Sequence, residues 1–306
     1  MEEELGRRAL LFAIGAPLVT ACARGAGVSR SAELLESPFS QIEASVGGRV
    51  GVFAFDAGSG QALAYRADEP FAMCSTFKWV LVAAVLAMVD RGQLGLDDSV
   101  TYGSSDLLDY APTTRAHVSD GSMTVEALAK TAITNSDNTA ANLLLRKVGG
   151  PSGLTRFARQ IGDAVTRLDR EEPALNENAP GDLRDTTTPR AMAGLMRSVL
   201  WGDVLSPASR DHLATWLVEC ETGTERLRTG MPAGWKAGDK TGTGQRGAVS
   251  DVAFVVPPGR APIVIAAYLS DSASSLAALN AAHAKISRSV VRLFVPSEVR
   301  LHALRG

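Results

Sequence analysis

From Phe77 to Val89 the chain runs FKWVLVAAVLAMV, apolar throughout except for Lys78. The run is too short to cross a bilayer, which takes about 20 apolar residues. It is also too long for one strand, so it reads as a helix. A helix apolar on every side must lie at the centre of a domain, with other elements packed around it. The remainder can supply them: 306 residues at 45% hydrophobic suffice for one large domain or two smaller lobes around a core.

The surrounding pattern is strands at both ends and helices between. Arg49–Asp56 alternates and is rich in β-favouring residues, Gly58-Ser59-Gly60 is a turn, and Ala62–Arg66 returns as a second strand. Helical segments follow at Thr124–Thr134, Asn138–Val148, Gly153–Ile161, Thr188–Leu200 and Pro207–Leu217. Strand character returns near residue 235. Val249–Val256 and Ala261–Leu269 flank the turn Pro257-Pro258-Gly259, and a last helix covers 274–294. The simplest packing is a two-lobed α/β (α+β) fold. The N- and C-terminal segments share a mainly antiparallel sheet with flanking helices, and an all-helical lobe is inserted between them. The expected division is a sheet lobe from 38–66 and 218–295, a helical lobe over 67–217 with the cleft at the junction, and a tail over 296–306.

Several function classes are disfavoured. Net charge is −2 with no basic block, which argues against nucleic-acid binding. Three cysteines, Cys22, Cys74 and Cys220, cannot make a disulfide scaffold. The four histidines, His117, His212, His283 and His302, form no metal-ligand cluster, so no metal or other cofactor is expected. At the N-terminus Arg7-Arg8 precede a short apolar run, Ala9–Val19, that suits a signal peptide over 1–21. Leu18-Val19-Thr20-Ala21-Cys22 resembles a bacterial lipobox, which would make Cys22 a lipid anchor. Ordinary cleavage near Ala21 or Ala23, with Cys22 incidental, is the alternative, and twin-arginine and general export both remain open. Residues 22–37 read as a tether.

Four motifs carry chemistry. Ser75-Thr76-Phe77-Lys78 opens the apolar helix, and positions i and i+3 share a helix face. A serine at a helix N-terminus meets free N–H groups and the positive dipole end, and a desolvated lysine beside it can act as a base. An N-cap serine with an incidental lysine is the plain alternative, but an unpaired ammonium in an apolar helix is costly. In Ser136-Asp137-Asn138 two side chains can enter a cleft while the third braces the loop or caps the next helix. Glu172-Pro173-Ala174-Leu175-Asn176 lies in a long Pro/Asn/Asp-rich loop, Thr166–Asp185, where a carboxylate and a carboxamide four apart can hold one water. Arg170 and Asp185 can clamp its neck. Lys240-Thr241-Gly242-Thr243, on a strand edge, suits a carboxylate ligand, and the Thr243 N–H suits an oxyanion. Gly242–Gly247 also fits G-x-G-x-x-G, but a strand follows it, so a dinucleotide site is rejected.

In this order and spacing the four motifs resemble the class A serine β-lactamases, of which S-x-x-K, S-D-N and K-T-G are signatures. The likeness extends to Asp109-Tyr110-Ala111-Pro112, Ser136–Leu144, Arg184–Pro189 and Pro232-Ala233-Gly234-Trp235. It implies hydrolysis of β-lactams through an acyl-enzyme on Ser75, with clavulanate-type inhibitors as further ligands. The oxyanion would sit on the backbone N–H groups of Ser75 and Thr243. Lys78, or Glu172 through a water, would take the serine proton, and Ser136 would protonate the leaving nitrogen. Glu172 and Asn176 would hold the deacylating water. Asn138 would contact the substrate amide and Lys78, Tyr110 would form a cleft wall, and Lys240, Thr241 and Thr243 would face the carboxylate. Many members place an arginine on the strand after K-T-G. Val249 stands there, and Arg226 matches an alternative position used by other members. The disulfide of some members is missing, with Val82 and Ala129 at its places, and Gly244 removes the partner that Cys74 has in others. Cys74 and Cys220 are therefore expected as free thiols. An exported monomer is expected. A D,D-peptidase or a β-lactam sensor that acylates without turnover is the alternative, and Glu172 with Asn176 is the feature against it.

Overall fold

The computed structural model describes residues 37–295. The signal and lipid-anchor readings, Cys22, most of the tether and the tail lie outside the described residues.

The expected strands meet as one antiparallel sheet. Its members are β1 (Arg49–Asp56), β2 (Ala62–Tyr65), β7 (Lys236–Thr243), β8 (Val249–Val256) and β9 (Ile263–Ser270), in the order β2-β1-β9-β8-β7. β1 pairs along its whole length with β9, from Arg49 opposite Ser270 to Asp56 opposite Ile263. This pairing joins the N-terminal and C-terminal parts of the described residues in one sheet. Two small ladders pair β3 (Phe71–Ala72) with β6 (Thr186–Thr187), and β4 (Ser99–Thr101) with β5 (Ser122–Thr124).

Side-chain alternation then fills two cores. Val264, Ala266 and Tyr268 of β9 face one core, and Ile263, Ile265, Ala267 and Leu269 face the other. The second core is closed by α1 (Pro38–Val46) and α9 (Leu276–Phe294). The first holds α2 (Phe77–Asp90), wrapped by α4 (Val125–Thr134), α5 (Asn138–Lys147), α6 (Gly150–Gln160), α7 (Pro189–Trp201) and α8 (Pro207–Val218). A short α3 (Pro112–Ala116) lies ahead of α4. Eleven residues of α2 are buried, Lys78 among them, as the apolar run requires.

Helix starts follow capping chemistry. The side chains of Thr124, Asp137, Thr188, Ser206 and Ser275 each accept a backbone N–H three residues on, and Pro189 and Pro207 occupy first turns. Several elements lie outside the sequence reading, among them α1, α3 and the four strands of the small ladders. α1 was not expected, although Phe39, Ile42 and Val46 bury one face of it. The K-T-G segment lies on a strand edge, in line with the sequence reading. It forms the edge strand β7, with Thr241 opposite Asp251.

Candidate active site

Ser75 lies in a single 3₁₀ turn, Cys74–Thr76, that runs directly into α2. Thr76 Oγ1 donates to Met73 O at 2.7 Å and meets the Tyr268 hydroxyl at 3.1 Å, which seats the turn on the sheet. One turn later Lys78 is fully buried, and its ammonium has three close partners. Nζ donates to Asn138 Oδ1 at 2.5 Å, Ser136 O at 2.8 Å and, more weakly, Ser136 Oγ at 3.4 Å, and it pairs with the Glu172 carboxylate at 3.0 Å from Oε1. Burial pushes the Lys78 pKa down, and the Glu172 charge pushes back.

Ser136 takes a left-handed backbone, φ 61°, at the bend between α4 and α5. Asp137 is the brace. Its carboxylate caps α5 through Ala140 N at 2.9 Å and accepts Thr113 N at 3.0 Å, Thr114 N at 2.9 Å and the Thr114 hydroxyl at 2.9 Å. Ser136 and Asn138 are thereby left to the cleft. Asn138 N donates to Tyr110 O at 3.0 Å, and the Tyr110 ring stands half-exposed on the cleft wall.

The long loop is clamped at its neck as expected. Arg170 Nε meets Asp185 Oδ2 at 2.5 Å, while Asp185 Oδ1 accepts the backbone N–H of Asp169 and Arg170. Asn142 on α5 pins the base of the loop. Its amide donates to Glu172 O at 2.9 Å and accepts Glu172 N at 3.1 Å. Asn142 lay within a quoted motif, but its distant partner could not be read from sequence. Glu172 so held accepts the Ser75 hydroxyl on Oε1 at 3.0 Å and the Asn176 amide on Oε2 at 2.5 Å. The serine therefore contacts the glutamate directly, and its hydrogen bond goes to Glu172 and not to Lys78.

β7 supplies the opposite wall. Buried Lys240 donates to Ser136 Oγ at 2.9 Å, and desolvation pulls its pKa down to about 8. Arg226, also buried, uses four of its five N–H groups. Nε donates to Asn280 Oδ1, Nη1 to Gly242 O and Ser250 O, and Nη2 to Thr243 Oγ1 at 2.6 Å. Thr222, overlooked in the sequence, reaches the Thr241 hydroxyl at 2.6 Å. Together Ser75, Tyr110, Ser136, Asn138, Asn176, Thr222, Arg226, Thr241 and Thr243 line a cleft of about 340 Å³. Lys78, Glu172 and Lys240 stand immediately behind this lining. Cys74 and Cys220 are free and buried, and a Cβ at Gly244 would come within 2.6 Å of Cys74 Sγ. Among the described residues no group of His, Cys, Asp and Glu gathers as a metal site.

Known proteins share this arrangement. The model of the β-lactamase enzyme family matches residues 34–294. β-Lactamase AST-1 of Nocardia asteroides is 45% identical over 290 residues, covering 92% of this chain and 93% of its own. The chain belongs to the class A β-lactamases. Solved members agree. The reconstructed class A β-lactamase of the last common ancestor of Gram-negative bacteria, GNCA4, is 56% identical with a TM-score of 0.82, over 84% of this chain and 97% of its own. The ancestral GNCA class A enzyme is 57% identical with the same score, over 83% and 98%. The mixed fold with its five-stranded antiparallel sheet is thus the class A β-lactamase fold. Enzymes of this class are generally exported from bacteria.

Proposed function

We propose that the chain hydrolyses β-lactam antibiotics through an acyl-enzyme on Ser75. The observation that carries this reading is the hydrogen bond from Ser75 Oγ to Glu172 Oε1 at 3.0 Å, with Lys78 and Asn176 on the same carboxylate. Ser75 Oγ bonds to the lactam carbonyl carbon as its proton passes to Glu172. The oxyanion is received by the backbone N–H groups of Ser75 and Thr243. The C–N bond then breaks, and the nitrogen takes the Ser136 proton. Ser136 is resupplied along Glu172, Lys78 and Ser136, atoms already 3.0 and 3.4 Å apart. In the second half a water bonds to the acyl carbon, gives its proton to Glu172, and Ser75 leaves with a proton returned. The hydrogen bond of Ser75 to Glu172, where none runs to Lys78, favours Glu172 over Lys78 as the acylation base.

Asn138 fits the role of holding the substrate amide, Tyr110 that of cleft wall, and Lys240, Thr241, Thr243 and Arg226 that of the carboxylate site. The relatives described above are β-lactamases, and nothing supports a D,D-peptidase or sensor that acylates without turnover. Mechanism-based inhibitors of the clavulanate kind would enter by the same serine. We further propose a sheet lobe (38–66 and 218–295), a helical lobe (67–217), an export signal (1–21), a tether from Cys22 with its lipid anchor, and a monomeric state. The test is a chromogenic cephalosporin. Multiple turnovers, abolished by Ser75→Ala, are expected, and one stoichiometric burst without turnover would refute the reading.

A further inference from the structure

Three hydroxyls assigned to substrate contact line one side of the cleft, Ser136, Thr241 and Thr243, and Thr222 stands beside them in the same lining. Two of them have their oxygens served from behind by buried cations. Lys240 donates to Ser136 Oγ at 2.9 Å and Arg226 to Thr243 Oγ1 at 2.6 Å. A hydroxyl that receives a donor on its oxygen from the rear turns its own proton forward, toward an anion. The third, Thr241, has no cation behind it. Its side-chain partner is Thr222 Oγ1 at 2.6 Å, and Thr222 Oγ1 in turn meets Cys220 Sγ at 3.3 Å.

We infer that Thr222 is a positioning residue for the carboxylate site. It donates its proton to Thr241 Oγ1 and takes one from the Cys220 thiol, so that Thr241 presents its own proton to the substrate. The inference rests on the β-lactam reading, because it needs a carboxylate in the cleft to select this direction. Burial keeps the Cys220 thiol protonated and therefore able to donate. The segment carrying Thr222 is held on both sides. Glu221 N donates to Thr134 O at 3.0 Å, and Gly223 packs so closely on the Asp239 carboxylate that a Cβ there would lie 1.8 Å from Oδ2. Thr222 therefore has a fixed position from which to orient its neighbour, and a neutral hydroxyl does for Thr241 what cations do for Ser136 and Thr243.

The test compares a β-lactam bearing its free carboxylate with the methyl ester of the same compound. The readout is the ratio of kcat/KM for acid over ester, which does not depend on the fraction of active enzyme. Thr222→Val should lower that ratio by about tenfold, through KM for the acid, because one anion-directed hydrogen bond is lost. Thr222→Ala should do the same, so the test survives if the valine variant fails to fold. Thr222→Ser, which keeps the hydroxyl, should restore the wild-type ratio. An unchanged ratio in both the valine and alanine variants, or a serine variant as impaired as they are, would overturn the inference. Wild type that turns over neither compound would overturn the parent reading and this one with it. Normal wild-type turnover with an unmoved ratio overturns only the role of Thr222.

Discussion

Replacing Lys78 by methionine removes the ammonium from a fully buried ion pair with Glu172 at 3.0 Å. At that separation and an effective dielectric of about 20, the attraction is about 5.5 kcal/mol. The substitution also relieves the burial of the ammonium, so the full Coulomb energy is not lost. Breaking one side of a buried pair costs about 3–5 kcal/mol, because the other charge stays buried without its partner. Glu172 keeps only the Ser75 hydroxyl and the Asn176 amide as side-chain donors. A fall in Tm on the order of 10 °C near neutral pH follows. Lys78→Met/Glu172→Leu, apolar on both sides, should recover most of the loss while remaining inactive. Urea and thermal unfolding near neutral pH measure all three proteins. A single variant as stable as wild type, or a double variant no more stable than the single, would refute the reasoning that the pair is mutually charged at rest.

Lys240 gives a pH prediction for activity. Its pKa sits near 8, below the ordinary lysine value, so its charge is lost as pH rises through about 8, and kcat/KM for carboxylate-bearing substrates should fall there. The sign for stability is opposite. Between about 8 and 10.5 the unfolded lysine binds more protons than the folded one, so this group makes folding more favourable as pH rises. Arg226→Ala should raise KM for such substrates by about tenfold or more, as it removes the donor behind Thr243 and the one N–H not otherwise engaged; an unchanged kcat/KM would reassign the residue. Cys74 is fully buried with its thiol pushed up to about 12, so it should resist alkylation in the native protein and react once unfolded, as peptide mapping would reveal.

How much of this the sequence could convey depended on the range of the interaction. Helices α4, α5, α7 and α8 begin within a residue of their expected starts, because Thr124, Asp137, Thr188 and Ser206 cap by bonds that span three residues. The clamp of Arg170 on Asp185 spans 15 positions, and it is legible because opposite charges stand at the two ends of one loop. α1 was missed because its apolar positions, Phe39, Ile42 and Val46, are few and follow a stretch that reads as tether. In the site, Ser75 with Lys78 and Glu172 with Asn176 are pairs three and four residues apart, and both were readable. What joins them is long-range. Ser75 meets Glu172 across 97 positions, Asn142 meets it across 30, and Lys240 meets Ser136 across 104. No periodicity encodes those meetings, so the direct serine–glutamate contact, the pinning by Asn142 and the partnership of Thr222 with Thr241 emerge only once the cores bring the segments together.

The central claim is that Glu172 activates the water that releases the acyl group from Ser75. Glu172→Gln preserves the shape of the side chain and its place beside Lys78 and Asn176, but cannot take a proton. A strained lactam can still acylate Ser75, more slowly, whereas the unstrained ester that results needs a base for its hydrolysis. Intact-protein mass spectrometry of this variant after mixing with a penicillin should find the protein heavier by one whole penicillin, and the adduct should persist and map to Ser75. A variant that turns over at the wild-type rate with no adduct would contradict the account.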